Sequence, residues 1–377
     1  MKPFTAIIGK WLTVCTLLVC VSCRKDHGPQ QPPPPSYEYD AITTGIEIGA
    51  MSHYYDPVYW LNGTRVPLEK GMAVEAFPYG IEKVGNDLYI TGSYSNPNTS
   101  LLPCIWKNGV KKDLPVQGLS FQQRCGSRDA KWFNNALYIL GDVDLSPVVW
   151  KIGNGDTTII PIQSTNGAIG DMIVAMNLEV YNGRLYFACS RTVTAGLSTT
   201  YESGYWEIDA TDHVTYHVLE DQLKYTLCYS LAISDKGVYI PGELRESVSG
   251  YAVPHVWTNQ GRLGVIDQVD VQTQRINEVV LDSKGKVYLN ILDYKTPRPL
   301  VWKISGNQYE PIMHSIPPSA IGFCNNLAIQ GDELAYAYTY IIGQNHYAAY
   351  NFRGETVPME KDPTSALLIH RTSLFPK

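Results

Sequence analysis

Charge is scarce in this chain: Asp, Glu, Lys and Arg together make up 18% of its 377 residues, against about 25% in ordinary soluble domains. The balance is mildly acidic, a formal −6, and no run of Lys or Arg occurs outside the N-terminus. Without a basic stripe nothing meets a phosphate backbone, which excludes nucleic acid as a partner. Catalytic signatures are missing too: there is no P-loop, no GxSxG, no HExxH and no GxGxxG phosphate loop. Asp142-Val143-Asp144 opens like a calcium loop but lacks the central Gly and the terminal Glu, so it reads as a turn. No metal or cofactor is expected, and no reaction can be read from the residues. Phenylalanine is sparse at 8, whereas tyrosine reaches 26.

Long apolar runs are also lacking. Lys2 and Lys10 precede a core from Trp11 to Val21, which is too short to span a bilayer comfortably and fits an export signal. It ends in Cys20-Val21-Ser22-Cys23, which resembles the lipobox of bacterial lipoproteins. That resemblance implies lipidation of Cys23, a signal over residues 1–22 and a lipid-anchored protein of the cell envelope, with the outer membrane as the expected site. The polar, Pro-rich stretch that follows, with Pro29 and Pro32 to Pro35, reads as a semi-extended tether over residues 23–42. Beyond the signal, Cys23, Cys104, Cys125, Cys189, Cys228 and Cys324 form no zinc spacing and no even disulfide framework. Two pairs, Cys104 with Cys125 and Cys189 with Cys228, are candidates to meet at blade junctions.

What the chain does have is a repeat. Pro103-Cys104-Ile105-Trp106-Lys107-Asn108-Gly109 returns around Trp60, Trp150, Trp206, Trp257 and Trp302 and, degenerately, at Tyr350, at intervals of 46, 44, 56, 51, 45 and 48 residues. A period of ~40–50 residues built on short strands marks a β-propeller. A second signature, Asn86-Asp87-Leu88-Tyr89-Ile90, recurs as Leu137-Tyr138-Ile139, Leu185-Tyr186-Phe187, Val238-Tyr239-Ile240, Val287-Tyr288-Leu289 and Leu334-Ala335-Tyr336. Hairpin turns of Asn, Asp and Gly separate the runs. Each unit therefore has four strands: a before the turn, b carrying Leu-Tyr-Ile, c carrying Trp, and d. Prolines 67, 115, 161, 311 and 358 fall on d, which places it at the outer edge.

Six full units start near residues 74, 127, 173, 225, 275 and 320. The N-terminus supplies b, c and d alone, and Ala366 to His370 supplies a lone a strand. The expectation is an all-β, seven-bladed propeller over residues 43–377, closed by both chain ends. The repeated tryptophans are blade packing, each worth ~3–5 kcal/mol on truncation to Ala.

Function is expected where the b-to-c and d-to-a connections gather around the channel mouth. The longer b-to-c loops are read as Ser93 to Leu102, Arg191 to Ser203, Glu243 to Val253 and Thr339 to His346. Tyr55, Tyr79, Arg124, Arg128, Tyr229, Glu243, Arg245, Arg275, Tyr294 and Tyr340 are the candidate ligand residues. Tyr with Arg suits protein contacts, and flat rings with fixed polar groups suit sugars. The partner is thus a glycan or a protein; the alternative is a polysaccharide-active hydrolase or lyase using carboxylates at the mouth.

With Trp106-Lys107-Asn108-Gly109 and Asn86-Asp87-Leu88-Tyr89-Ile90 as its best matches, the chain resembles uncharacterised bacterial envelope lipoproteins with Tyr-Trp-Lys-Asn-Gly propeller repeats. The resemblance implies an exported, membrane-anchored propeller and brings no activity with it. Cys23→Ala is expected to abolish acyl labelling and membrane retention in a fractionated cell; a variant still fully lipidated would show that the signal is misread.

Overall fold

The computed structural model describes residues 39–49, 55–97, 100–116, 125–143, 146–162, 173–174, 177–195, 198–219, 225–245, 252–259, 261–263, 269–270, 273–295, 297–306, 308–313, 316–362 and 365–377. Residues 1–38, with the expected export signal, Cys23 and most of the expected tether, lie outside them. Strand follows strand through antiparallel pairings into seven separate sheets. Each is a blade of a β-propeller with a innermost and d outermost, as the prolines required.

Blade 1 joins the two chain ends. Ser365–Pro376 pairs with Tyr39–Gly49, followed by Tyr55–Leu61 and Thr64–Pro67. The closing register sets Ile46 against Leu368 and Gly45 against Ile369. The first strand begins upstream of the boundary expected at residue 43, and Ala41 and Ile42 are buried in it. The closing strand is also longer than Ala366 to His370, because Thr372 and Leu374 continue into the core.

The innermost strands of the other blades are Glu75–Val84, Cys125–Phe133, Ile173–Val174 with Glu179–Tyr181, Tyr225–Cys228 with Ala232–Ser234, Gln274–Leu281 and Ile321–Gln330. The c-to-d turns of blades 1 to 3 show why Asn-Gly marks a hairpin. Asn62, Asn108 and Asn154 sit at φ 52, 53 and 52°, and Gly63, Gly109 and Gly155 at 87, 85 and 92°, the left-handed pair of a type I′ turn. The Asn62 and Asn108 side chains then accept Ala41 N–H and Leu88 N–H at 2.9 and 2.8 Å, tying each turn to the start of strand b.

The six repeat tryptophans are packing residues, buried with Tyr350 between sheets. In blades 1 to 3 the indole N–H also donates to a carbonyl in the d-to-a crossing: Trp60 to Glu360, Trp106 to Glu69 and Trp150 to Pro115, at 2.6, 2.7 and 2.8 Å. In blades 1, 2, 3 and 5 the indole lies over a glycine of strand b. A Cβ on Gly45, Gly92, Gly141 or Gly242 would come within 3.1, 2.5, 2.5 or 2.8 Å of the Cζ3 of Trp60, Trp106, Trp150 or Trp257.

Some expectations change. The segment Leu114 to Val116 lies past the outer strand of blade 2, which is Val110–Asp113. Strands b and c also run further towards the mouth than their residues suggested. Arg184–Ala195 and Ser198–Ile208 leave only residues 196–197 between them, and Glu333–Ile342 and Asn345–Phe352 only 343–344. Continuous cross-strand pairing is cheaper than an unpaired loop, and β-branched and aromatic residues there sustain it. Cys104, Cys125, Cys189, Cys228 and Cys324 are buried free thiols, so neither candidate pair is bridged.

Gly92→Val is expected to cost more than ~3 kcal/mol, because its Cβ also meets Phe77 O at 2.3 Å. Gly126→Ala, whose nearest contact is 3.5 Å, is expected to stay within ~1 kcal/mol by denaturant melts. Deleting residues 365–377 is expected to open the ring and lower the melting temperature sharply; an unchanged melt would contradict the closing strand.

Candidate functional site

An innermost strand pairs with its neighbour along one edge and turns the other towards the channel, so those N–H and C=O groups need partners from elsewhere. In blades 1, 2, 3, 6 and 7 the innermost strand carries a β-bulge at one level. Register shifts leave His370, Tyr79 with Gly80, Arg128, Asn277 and Asn325 outside the pairing. In blades 4 and 5 the strand is interrupted at that level, with residues 177–178 and 229–231 outside it. A bulge re-aims side chains, and bulges gather at sheet edges and functional sites.

The residue after the bulge answers the edge. Asp129 Oδ2 accepts Leu178 N–H at 2.8 Å, Asn177 Oδ1 accepts Leu231 N–H at 2.9 Å and Ser230 Oγ accepts Val279 N–H at 3.2 Å. Glu278 Oε2 accepts Leu327 N–H and Asn326 Oδ1 accepts Thr372 N–H, both at 2.7 Å. These five side chains, from blades 3 to 7, each bond the innermost strand of the next blade. The equivalent position is Arg371 in blade 1 and Gly80 in blade 2. Gly80 packs so closely on Asp129 that a Cβ would lie 2.6 Å from its Cα. Arg371, from blade 1, reaches Asp129 Oδ2 at 3.3 Å, so the charge bypasses the blade that has no side chain to offer.

This inner girdle is rich in carboxylates. Burial pushes the carboxyls of Glu82 and Glu179 up, and that of Glu278 up to about 7, with Arg371 and the Leu327 N–H pulling Glu278 the other way. Arg371 and Lys131 stay charged against the cost of burial, because Asp129, Glu179 and Glu82 act on both and Glu278 also acts on Arg371. Among the described residues no group of three or more His, Cys, Asp or Glu is placed to hold a metal ion.

The bulge residues of blades 1, 2 and 3 form a cluster beside the girdle. The Tyr79 and His370 rings are 5.1 Å apart at 33°, and the Arg128 guanidinium lies 4.9 Å from the Tyr79 centroid. Arg128 Nε donates to Asp142 Oδ1 at 2.8 Å. His370 Nδ1 donates to Pro78 O at 2.5 Å, since a carbonyl can only accept; Nε2 therefore carries the lone pair. Burial lowers the His370 pKa to about 4, with the hydrogen bond to Pro78 opposing and Arg128 assisting, so the ring is neutral near pH 7. Burial also opposes the Arg128 charge, but Asp142 and Tyr79 outweigh it.

Of the candidate residues, the structure brings together Tyr79 with Arg128, and Glu243 with Arg275 through a 2.9 Å ion pair. Tyr229 lies at the break in blade 5, the level of the bulges. Tyr55 packs on Phe77 with centroids 5.2 Å apart, Tyr294 faces Phe323 at 6.4 Å and Tyr340 stacks on Tyr347 at 5.2 Å and 15°. Arg245 pairs by backbone with Tyr225, and Arg124 lies outside the described residues. Sequence reasoning missed Asp142, read as a turn, and His370, read only as part of the closing strand. It missed the girdle as well. Its signal was present as adjacent polar pairs, such as Arg128-Asp129, Asn277-Glu278 and Asn325-Asn326, inside otherwise apolar strands.

No protein-family model and no curated protein matches the chain. Among solved structures it is similar to a puromycin hydrolase (TM-score 0.51, 10% identity, 75% of this chain and 47% of that one). A puromycin-hydrolyzing peptidase of Mycobacterium tuberculosis gives 0.50, 9%, 75% and 46%. A Synechocystis apocarotenoid oxygenase mutant gives 0.48, 8%, 92% and 94%. The chain spans a little under half the length of the two puromycin-hydrolysing proteins. At 9–10% identity the likeness to the two puromycin-hydrolysing proteins shows the fold and nothing of its chemistry.

The His370 pKa implies a pH dependence with a defined sign. Its folded value of about 4 lies below the ordinary 6.5, so the unfolded chain binds more protons between those values. The contribution of His370 is complete above pH 6.5 and is lost as pH falls through 4. His370→Gln is expected to flatten the acid limb of stability by up to ~3 kcal/mol in denaturant melts between pH 7 and 4.

Proposed function

We propose that the protein is an exported, lipid-anchored propeller that acts by binding, holding a glycan or a partner protein on its channel-mouth face at the cell envelope. The observation that carries this reading is an arc of aromatic pairs over four consecutive blades. Tyr294 of blade 6 faces Phe323 of blade 7, where Tyr340 also stacks on Tyr347. Tyr55 of blade 1 then packs on Phe77 of blade 2, and His370 of blade 1 on Tyr79 of blade 2. All sit at the ends of strands that lead into b-to-c or d-to-a connections, or at the bulges just inside them. Tyr294 is 59% exposed. Rings offered on successive blades suit the flat C–H faces of successive sugars, which favours the glycan over the protein partner.

The state of the mouth carboxylates supports binding over polysaccharide cleavage. Glu243 is held by Arg275 and Asp142 by Arg128, while Asp293 accepts from Gln274 Nε2 and Lys295 N–H at 2.9 Å each. Glycoside cleavage asks for one free acid and one free base at a defined separation.

The lipid-free Cys23→Ala chain is expected to retain oligosaccharides on a glycan array, with no release of reducing ends or unsaturated products. Tyr294→Ala and Tyr340→Ala are each expected to weaken that binding ~3–10-fold at unchanged melting temperature. Turnover of any polysaccharide by the purified chain would replace this reading with the enzymatic one. Capture of a protein with no glycan retained would move it to the partner-protein form.

A further inference from the structure

Within the aromatic arc, the site formed by Tyr79, His370, Arg128 and Asp142 differs from the other ring pairs because it combines a flat surface with charged groups that cancel. Three of the four side chains are bulge residues or flank them, drawn from blades 1, 2 and 3. The Tyr79 and His370 rings make the shelf, 5.1 Å apart and tilted by 33°. Arg128 lies over the Tyr79 ring and is a quarter exposed, whereas Asp142 is almost fully buried.

The charges decide what such a shelf accepts. The Arg128 cation is matched by Asp142 at 2.8 Å. His370 donates Nδ1–H to Pro78 and is neutral near pH 7. A second arginine of the mouth whose side chain is described, Arg275, is matched by Glu243 at 2.9 Å. Deeper in, Arg371 and Lys131 face four carboxylates, Asp129, Glu82, Glu179 and Glu278. No uncompensated cation is left among these groups to meet a carboxylate, sulfate or phosphate on a ligand. An anion placed there would be desolvated beside a surplus of negative charge, an expense that nothing repays.

Unused hydrogen-bonding capacity remains. Asp142 Oδ1 takes Arg128 Nε–H, and its Oδ2 has no protein partner among the described residues. The Arg128 guanidinium lies 4.9 Å from the Tyr79 centroid and is also hydrogen-bonded to Tyr79, which leaves part of its five N–H donors for a ligand, and His370 Nε2 is an acceptor. An acceptor beside a donor, both fixed, matches two neighbouring hydroxyls of one sugar ring, each of which donates once and accepts once.

We propose that this site, on the reading that the mouth face binds a glycan, takes an uncharged sugar through a pair of adjacent hydroxyls, and that the Arg128–Asp142 pair excludes uronic and sulfated sugars. Tyr79 and His370 carry the apolar face of the ring, Asp142 Oδ2 and His370 Nε2 accept from its hydroxyls, and Arg128 donates to them. Selectivity then comes from charge balance rather than from shape alone.

The experiment titrates the lipid-free Cys23→Ala chain on an array holding neutral hexose, deoxyhexose and N-acetylhexosamine oligomers beside hexuronate and sulfated oligomers. Neutral oligomers are expected to bind with little change between 50 and 500 mM NaCl, and anionic ones to bind at least 10-fold more weakly. Asp142→Asn leaves Arg128 unpaired; it is expected to lower neutral-sugar binding at least 5-fold and to raise hexuronate binding in a salt-sensitive way. A residue that only shaped the loop would weaken both together. Should that variant fail to fold, Arg128→Gln with Asp142→Asn removes both charges at once and is expected to lose neutral-sugar binding with no gain for hexuronates. Retention of anionic oligomers alone by the unmutated mouth would overturn the neutral-sugar assignment and leave glycan binding standing. Retention of no oligomer of either kind would overturn both.

Discussion

The free inner edge of each innermost strand is the constraint on which this molecule depends. Seven such edges face one narrow channel, and every peptide group on them must find a partner or lose roughly the value of a hydrogen bond. In five of the seven blades the chain answers with one side chain at one level: Asp129, Asn177, Ser230, Glu278 and Asn326 each accept an N–H of the following blade. Since each bond joins neighbouring sheets, edge satisfaction and blade-to-blade registration are the same interaction. Packing by the repeat tryptophans fills the space between sheets, but buried area alone does not set the height of one blade against the next.

The girdle also explains where chemistry collects. To turn one side chain onto the neighbouring blade the strand must accommodate an extra residue, and that residue, freed from pairing, projects beside the channel. His370, Tyr79, Arg128, Asn277 and Asn325 are all of this kind. A device that stabilises the ring therefore presents a second circle of side chains that the fold does not need. Asn325 is drawn back to Thr339, whereas Tyr79, Arg128 and His370 meet one another. They do so where the girdle is incomplete, because Gly80 contributes no side chain and Arg371 has to span blade 2 to reach Asp129.

Much of this was legible in advance. Asn-Gly at the c-to-d turns can be read from sequence because a left-handed residue pair is a local requirement. The tryptophan period reads for a similar reason, since one large ring per blade must fill one inter-sheet space. Tyr79, Arg128 and Arg275 could be placed among the candidates because the loop and strand-start positions of a propeller are fixed once its strands are counted. Asp142 was not found: a carboxylate in a short turn looks solvated until a guanidinium from another strand is placed on it. His370 is the same case, because its partners Pro78 and Tyr79 are almost the whole chain away.

The sequence by itself determined the number of blades, the order of strands within each and the joining of both ends in the first, because these follow from local turn geometry and from a hydrophobic period that any short window reveals. Only the tertiary structure decided which polar residues close the inner edge, which are expelled into the channel and which charges cancel. Those outcomes depend on bulge register and on contacts between strands far apart in the chain, and a shift of one residue would send each of these side chains to the opposite face.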